Sequence, residues 1–169
     1  MLVRSYAGMV ITGVAEVCPE RIAHMVYVNG VIPADGESMA DQLVPVRGEE
    51  FAAWVRDQIE NGDGFLPAPA SVEEVGRRWG ITDPEDLAWV GANVTPQPAA
   101  AMASPVHIAN PKAAQIPKNF VGGGESGFDT VAERARQAGW GVYSVDSGHD
   151  TMITHARALA DLLLKVGRE

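Results

Sequence analysis

Apolar residues fall along this chain in two rhythms, one of helical spacing and one of short continuous runs. Met9, Val10, Ile11, Val14, Ala15 and Val17 predict a helix over residues 6–17 that is apolar on most sides and therefore buried. Pro19 ends it, because the residue before a proline is pushed out of the α region. Residues 22–29 form a mostly apolar run of the kind found in strands buried on both faces of a parallel sheet. The chemistry of a turn closes it at Gly30 and over 33–36. Farther on, residues 116–122 and 141–145 read as two further strands. Between them a helix over 128–138 carries Phe128, Val131, Ala132 and Ala135 at helical spacing, with Gly139 as its stop. The last helix, 154–166, buries Leu159, Leu162, Leu163 and Val166.

Between these segments, residues 38–103 have another character. Helices are predicted over 49–60, with Phe51, Trp54, Val55 and Ile59 on one side, and over 71–79. A third opens at a capping box over 82–85, with Pro84 inside its first turn, and runs through Trp89. No strand is expected in this stretch, which reads as an inserted helical cap. Three of the four tryptophans (Trp54, Trp79 and Trp89) lie in it, where packing of cap on body is the preferred role over stacking on a substrate. The expected organisation is a core segment over 1–37, the cap over 38–103 and a second core segment over 104–169.

Alternating strands and helices imply an α/β fold with a parallel sheet and right-handed crossovers. In such sheets ligand sites gather at the carboxyl ends of the strands. Three features fall there: Ser5, the loop 122–127 and His149. Ser5 stands between a strand stub, 1–3, and the first helix, whose opening N–H groups have no partner within the helix. That is the setting of a nucleophile elbow, usually spelled G-x-S-x-G, although here Val3 and Ala7 replace the glycines. A serine capping a buried helix is the plainer reading of the pentapeptide alone. The glycine run at 122–124 is not a phosphate loop, since no Gly-Lys-Ser/Thr follows.

Composition narrows the partners. A net charge of −9 over 169 residues argues against a nucleic-acid surface, which needs a basic patch. No apolar run reaches membrane-spanning length, and the single cysteine, Cys18, fits a reducing compartment; a cytoplasmic location is expected. His24, His107, His149 and His155 show no ligand spacing, so neither metal nor cofactor is expected.

On residues 5–10, 19–27, 31–38, 139–140 and the stretch Ser147-Gly148-His149-Asp150-Thr151-Met152, the chain resembles the carboxyl-terminal part of an α/β-hydrolase. The likeness is closest to small cap-bearing esterases of the plant methylesterase and hydroxynitrile lyase type. It implies a partial α/β-hydrolase fold whose sheet lacks its N-terminal strands. It also implies Ser5 as nucleophile, His149 as general base and a small apolar ester as substrate, cleaved through an acyl-serine intermediate. Glu125, on the loop after the strand at 116–122, is the implied acid, with Asp129 as the alternative. The backbone N–H of Tyr6 is the implied oxyanion donor, its companion belonging to a loop upstream of this sequence.

Two expectations follow. One is a serine hydrolase truncated at its N-terminus; the other is a catalytically inactive remnant or interaction module from a misassigned start. In either case the strand 22–29, flanked only by a three-residue stub, is expected to leave an apolar edge open, a route to self-association.

Overall fold

The computed structural model describes residues 1–124 and 127–168, with backbone only at Leu2 and Val3. In chain order the elements are β1 (Leu2–Ser5), α1 (Ala7–Val17), a 3-10 turn (Pro19–Arg21), β2 (Met25–Gly30), α2 (Met39–Arg47) and α3 (Glu49–Glu60). Next come β3 (Phe65–Leu66), α4 (Val72–Trp79), α5 (Pro84–Asn93), β4 (Gln97–Pro98), α6 (Ala99–Ala103) and α7 (Pro111–Ala114). The chain closes with β5 (Lys118–Gly123), α8 (Asp129–Gln137), β6 (Gly141–Val145), α9 (Thr151–Thr154) and α10 (Ala156–Val166).

Contacts divide these elements into two compact units. The first comprises Met1–Ala68 with Thr95–Pro117, the second Pro69–Val94 with Lys118–Glu169.

In the first unit β1 and β2 pair in parallel, Leu2 opposite Val26, Val3 opposite Tyr27 and Arg4 opposite Val28, before the register slips and Ser5 faces Gly30. The ladder extends one residue further, because Val26 N–H donates to the Met1 carbonyl at 2.9 Å. The edge of β2 facing β1, expected to be open, is therefore covered along most of its length. The strand itself begins at Met25 rather than residue 22, since the 3-10 turn uses Pro19–Arg21.

Helix α1 buries Gly8, Met9, Ile11 and Ala15 but leaves Val10 50% and Val17 83% exposed. The expected burial on most sides is thus not found: β1, β2 and α7 cover one stripe only. Mid-helix Thr12 donates its hydroxyl to the Gly8 carbonyl at 2.8 Å and lies 2.9 Å from the phenol oxygen of the fully buried Tyr27, tying α1 to β2. Glu16 fastens the other end of α1 to α7. Its carboxylate accepts the N–H groups of Ala109 and Asn110, both at 2.7 Å.

Helix α2, absent from the periodicity, is fixed by its start. Ser38 and Asp41 form a reciprocal capping box, and Pro45 sits inside the helix. The two-residue strands β3 and β4 pair antiparallel, where no strand was expected. In the second unit Asp83, not Thr82, caps α5: its side chain accepts the N–H groups of Glu85 and Asp86. Val75, Ile81 and Val90 form a small core between α4 and α5, with Trp79, Leu87 and Ile153 packed on it. Trp79 thus packs on residues of the same 38–103 stretch, whereas Trp89 is 61% exposed. Strands β5 and β6 pair in parallel from Asn119 opposite Gly141 to Gly123 opposite Val145, with α8 against both. Phe120 and Val121 are buried there.

Candidate active site

Ser5 is the last residue of β1, Tyr6 is the N-cap of α1, and the helix begins at Ala7. Ser5 has φ +50, and among the described residues only Asn29 (φ +43) shares a positive φ without being glycine. Placing an L-residue there costs about 1–2 kcal/mol, so surrounding contacts must hold it. The Ser5 carbonyl accepts the N–H of Val31 at 3.2 Å. One turn on, Gly8 lies so close to Val31 that a Cβ would fall 3.0 Å from its nitrogen and still nearer its carbonyl oxygen. Both positive-φ side chains thus lie at the same end of the β1·β2 ladder, where Ser5 pairs with Gly30. The turn that usually needs flanking glycines here has its close approach at Gly8 instead.

Two groups surround the serine in sequence. Arg4 is partly buried, and desolvation pulls its guanidinium below its ordinary value. Tyr6 begins the free-donor end of α1, where N–H groups have no carbonyl one turn back to reach. The first bond of the helix is of the tighter 3-10 type, from Met9 N–H to the Tyr6 carbonyl at 2.8 Å.

His149 belongs to the second unit, on the loop that follows β6. It is 7% exposed, and its ring stacks on Phe128 with centroids 5.2 Å apart and planes 15° apart. Around it, Ser147 Oγ and Thr151 Oγ1 are 2.7 Å apart, and the Thr151 hydroxyl donates to the Gly148 carbonyl at 3.2 Å. The N–H of Asp150 donates to the Trp79 carbonyl at 3.3 Å. Asp150 is 2% exposed and makes no side-chain cap to α9.

Of the two carboxylates considered for the acid, Glu125 lies outside the described residues. Asp129 is the first residue of α8 and is exposed, next in the chain to the phenylalanine that stacks on His149. Ser5 and Tyr6 thus lie in one unit, His149 and Asp129 in the other. The remaining histidines have other settings. His155 Nδ1 lies 2.9 Å from the Thr154 hydroxyl, and His107 lies 3.7 Å from the Asp35 carboxylate. Among the described residues no cluster of three histidine, cysteine or acidic side chains is arranged to hold a metal, and no helix is long and apolar enough to cross a membrane.

Sequence reasoning gave Gly8 and Asn29 no role in the site, and it placed Phe128 only on the apolar face of the helix over 128–138. A glycine in the second position of an apolar helix and an asparagine before a glycine are the signals that mark the first two. Nothing local marks the third, because ring stacking across a loop has no sequence period.

No family model matches the chain. A carbendazim-hydrolysing esterase of Nocardioides sp. (strain SG-4G) is 28% identical over 173 residues, which cover 96% of this chain and 69% of that protein. An extracellular α/β-hydrolase from a Paenibacillus species superposes over 99% of this chain and 71% of its own, with TM-score 0.81 and 22% identity. Tomato methylketone synthase I superposes over 98% of this chain and 68% of its own, with TM-score 0.75 and 19% identity. The chain therefore carries part of the α/β-hydrolase fold.

Proposed function

We propose that this chain hydrolyses a small, apolar carboxylic ester through an acyl intermediate on Ser5. The observation that carries this reading is the φ of +50 at Ser5, a serine on a strand-to-helix turn. Strain of this kind is kept where the surrounding structure enforces it, and a positioned nucleophile is a use for it. The esterase likeness supports the same chemistry.

In the proposed reaction Ser5 Oγ attacks the ester carbonyl carbon while His149 takes its proton. The carbonyl oxygen becomes an oxyanion, held by the N–H of Tyr6 at the positive end of α1. Collapse of the tetrahedral intermediate breaks the C–O bond to the alcohol, which leaves with the proton from His149. Water then attacks the acyl-serine with His149 again as base, releasing the carboxylic acid and restoring Ser5. Glu125 holds the imidazole in the required tautomer, with Asp129 as the alternative, and the insert over 38–103 shapes the apolar pocket.

A fluorophosphonate probe tests the assignment. Mass spectrometry should locate the adduct on Ser5, with labelling lost in Ser5→Ala and slowed by about a thousandfold or more in His149→Ala. No adduct, or an adduct retained in Ser5→Ala, would overturn it. Glu125→Gln should slow labelling far more than Asp129→Asn, and the reverse order moves the acid to Asp129.

A further inference from the structure

The second unit contains a backbone-to-backbone crossing that bears directly on His149. Helix α4 ends at Gly80, which takes the left-handed conformation with φ +71. There it meets Gly148, the residue before His149. A Cβ on Gly80 would fall 2.7 Å from the Gly148 Cα. In return, a Cβ on Gly148 would fall 2.5 Å from the Trp79 carbonyl oxygen and 2.6 Å from the Gly80 Cα. On the far side of His149, Asp150 N–H donates to that same Trp79 carbonyl at 3.3 Å. From the strand side, a Cβ on Gly123 would fall 2.6 Å from the Ser147 carbonyl oxygen. The residues on both sides of His149 are therefore gripped by main chain.

We propose that the Trp79–Gly80 turn at the end of α4 is the positioning element of His149. It sets where the imidazole stands, and Phe128 then sets the plane of the ring. The proposal rests on the assignment of His149 as the base of the reaction. Three facts support a role beyond ordinary packing. The atoms in contact are backbone, so no side-chain rotation can relieve an added methyl. The contact is made immediately before His149 and the hydrogen bond immediately after it, leaving the intervening residue little freedom. Finally, the turn is itself anchored, because Trp79 and Ile153 both pack on the Val75, Ile81 and Val90 core. Gly80 and Gly148 are 68 residues apart in the sequence, so neither glycine announces the other.

The added methyl in Gly80→Ala falls short of ordinary contact, 3.4 Å, by about 0.7 Å. Displacing a catalytic group by about 1 Å costs on the order of a hundredfold in rate. Gly139→Ala separates this from simple backbone strain. Gly139 has an equally left-handed φ of +76 in the same unit, with nothing within 4 Å of its would-be Cβ.

Two readouts on the full chain decide the matter. The first is the rate of diethylpyrocarbonate modification at His149, measured by peptide mass spectrometry with the exposed His107 as internal reference. The second is fluorophosphonate labelling of Ser5. In Gly80→Ala, His149 should become several-fold more reactive while Ser5 labelling falls by about a hundredfold. In Gly139→Ala both should match the parent even though the melting temperature drops. If a folded Gly80→Ala chain leaves His149 reactivity at the parent value, or if Gly139→Ala changes it equally, the positioning role is wrong. If His149 responds as stated but the parent chain shows no labelling at Ser5, the clasp stands and the serine-hydrolase reading fails.

Discussion

Alanine at Gly8 poses the sharpest question about the turn at Ser5, because local and tertiary reasoning give opposite signs. Helix propensity alone favours Gly8→Ala by at most about 1 kcal/mol. In the fold the new Cβ would lie 3.0 Å from the Val31 nitrogen and 3.1 Å from its carbonyl carbon, closer still to the oxygen. All three are main-chain atoms, so α1 and the chain after β2 must separate. Overpacking of that kind costs about 1–3 kcal/mol. The separation also strains the bond from Val31 N–H to the Ser5 carbonyl, worth about 1 kcal/mol more. The net expectation is a loss of roughly 1–3 kcal/mol. Gly13, in the same helix, has nothing within 4 Å of its would-be Cβ. Gly13→Ala should therefore stabilise the chain by up to about 1 kcal/mol. Urea unfolding followed by tryptophan fluorescence reads both variants against the parent midpoint. A Gly8→Ala midpoint at or above that of the parent would refute the close approach of α1 to Val31. Since the same contact shapes the turn at Ser5, Gly8→Ala should also slow fluorophosphonate labelling, whereas Gly13→Ala should not.

Three further outcomes follow from the geometry. Ser5→Gly and Ser5→Ala both remove the hydroxyl, but only glycine takes φ +50 without strain, so the glycine variant should be the more stable by about 1 kcal/mol in urea; equal midpoints would remove the strain argument. The hydrogen bond from the Ser38 hydroxyl, then that from its backbone N–H, holds the Asp41 carboxyl below its ordinary 3.8. The capping-box contribution is thus present above about pH 4 and lost as the pH falls through the folded-state value. Melting temperatures of the parent and Asp41→Asn should converge in acid, and a constant gap down to pH 2 would contradict this. Burial raises the Tyr27 phenol from 10.0 to about 12, partly offset by its hydrogen bond to Thr12, so the folded state holds that proton more tightly than the unfolded chain. Stability should fall as the pH rises from about 10 to about 12, and Tyr27→Phe should lose that part of the alkaline slope; an unchanged slope would show the phenol to be solvated.

Much of this architecture was written locally. The order of strands and helices, the stop at Pro19, the serine between a strand and a helix, and the histidine on a loop after a strand all follow from spacing and turn residues a few positions apart. So does the expectation of parallel ladders, borne out by β1 with β2 and β5 with β6. Tertiary contacts decided the rest. That Gly8 rather than a residue flanking Ser5 makes the close approach depends on Val31, 23 residues away. That β1 reaches Ser5 and covers its side of β2 depends on pairing, which no local pattern encodes. The half-exposed Val10 and the exposed Val17 show the same limit, since apolar spacing states which residues suit burial but not which of them find a neighbour. The grip of Gly80 on Gly148 is the extreme case: two glycines, each an ordinary turn residue in its own segment, acquire their meaning only where two backbones cross.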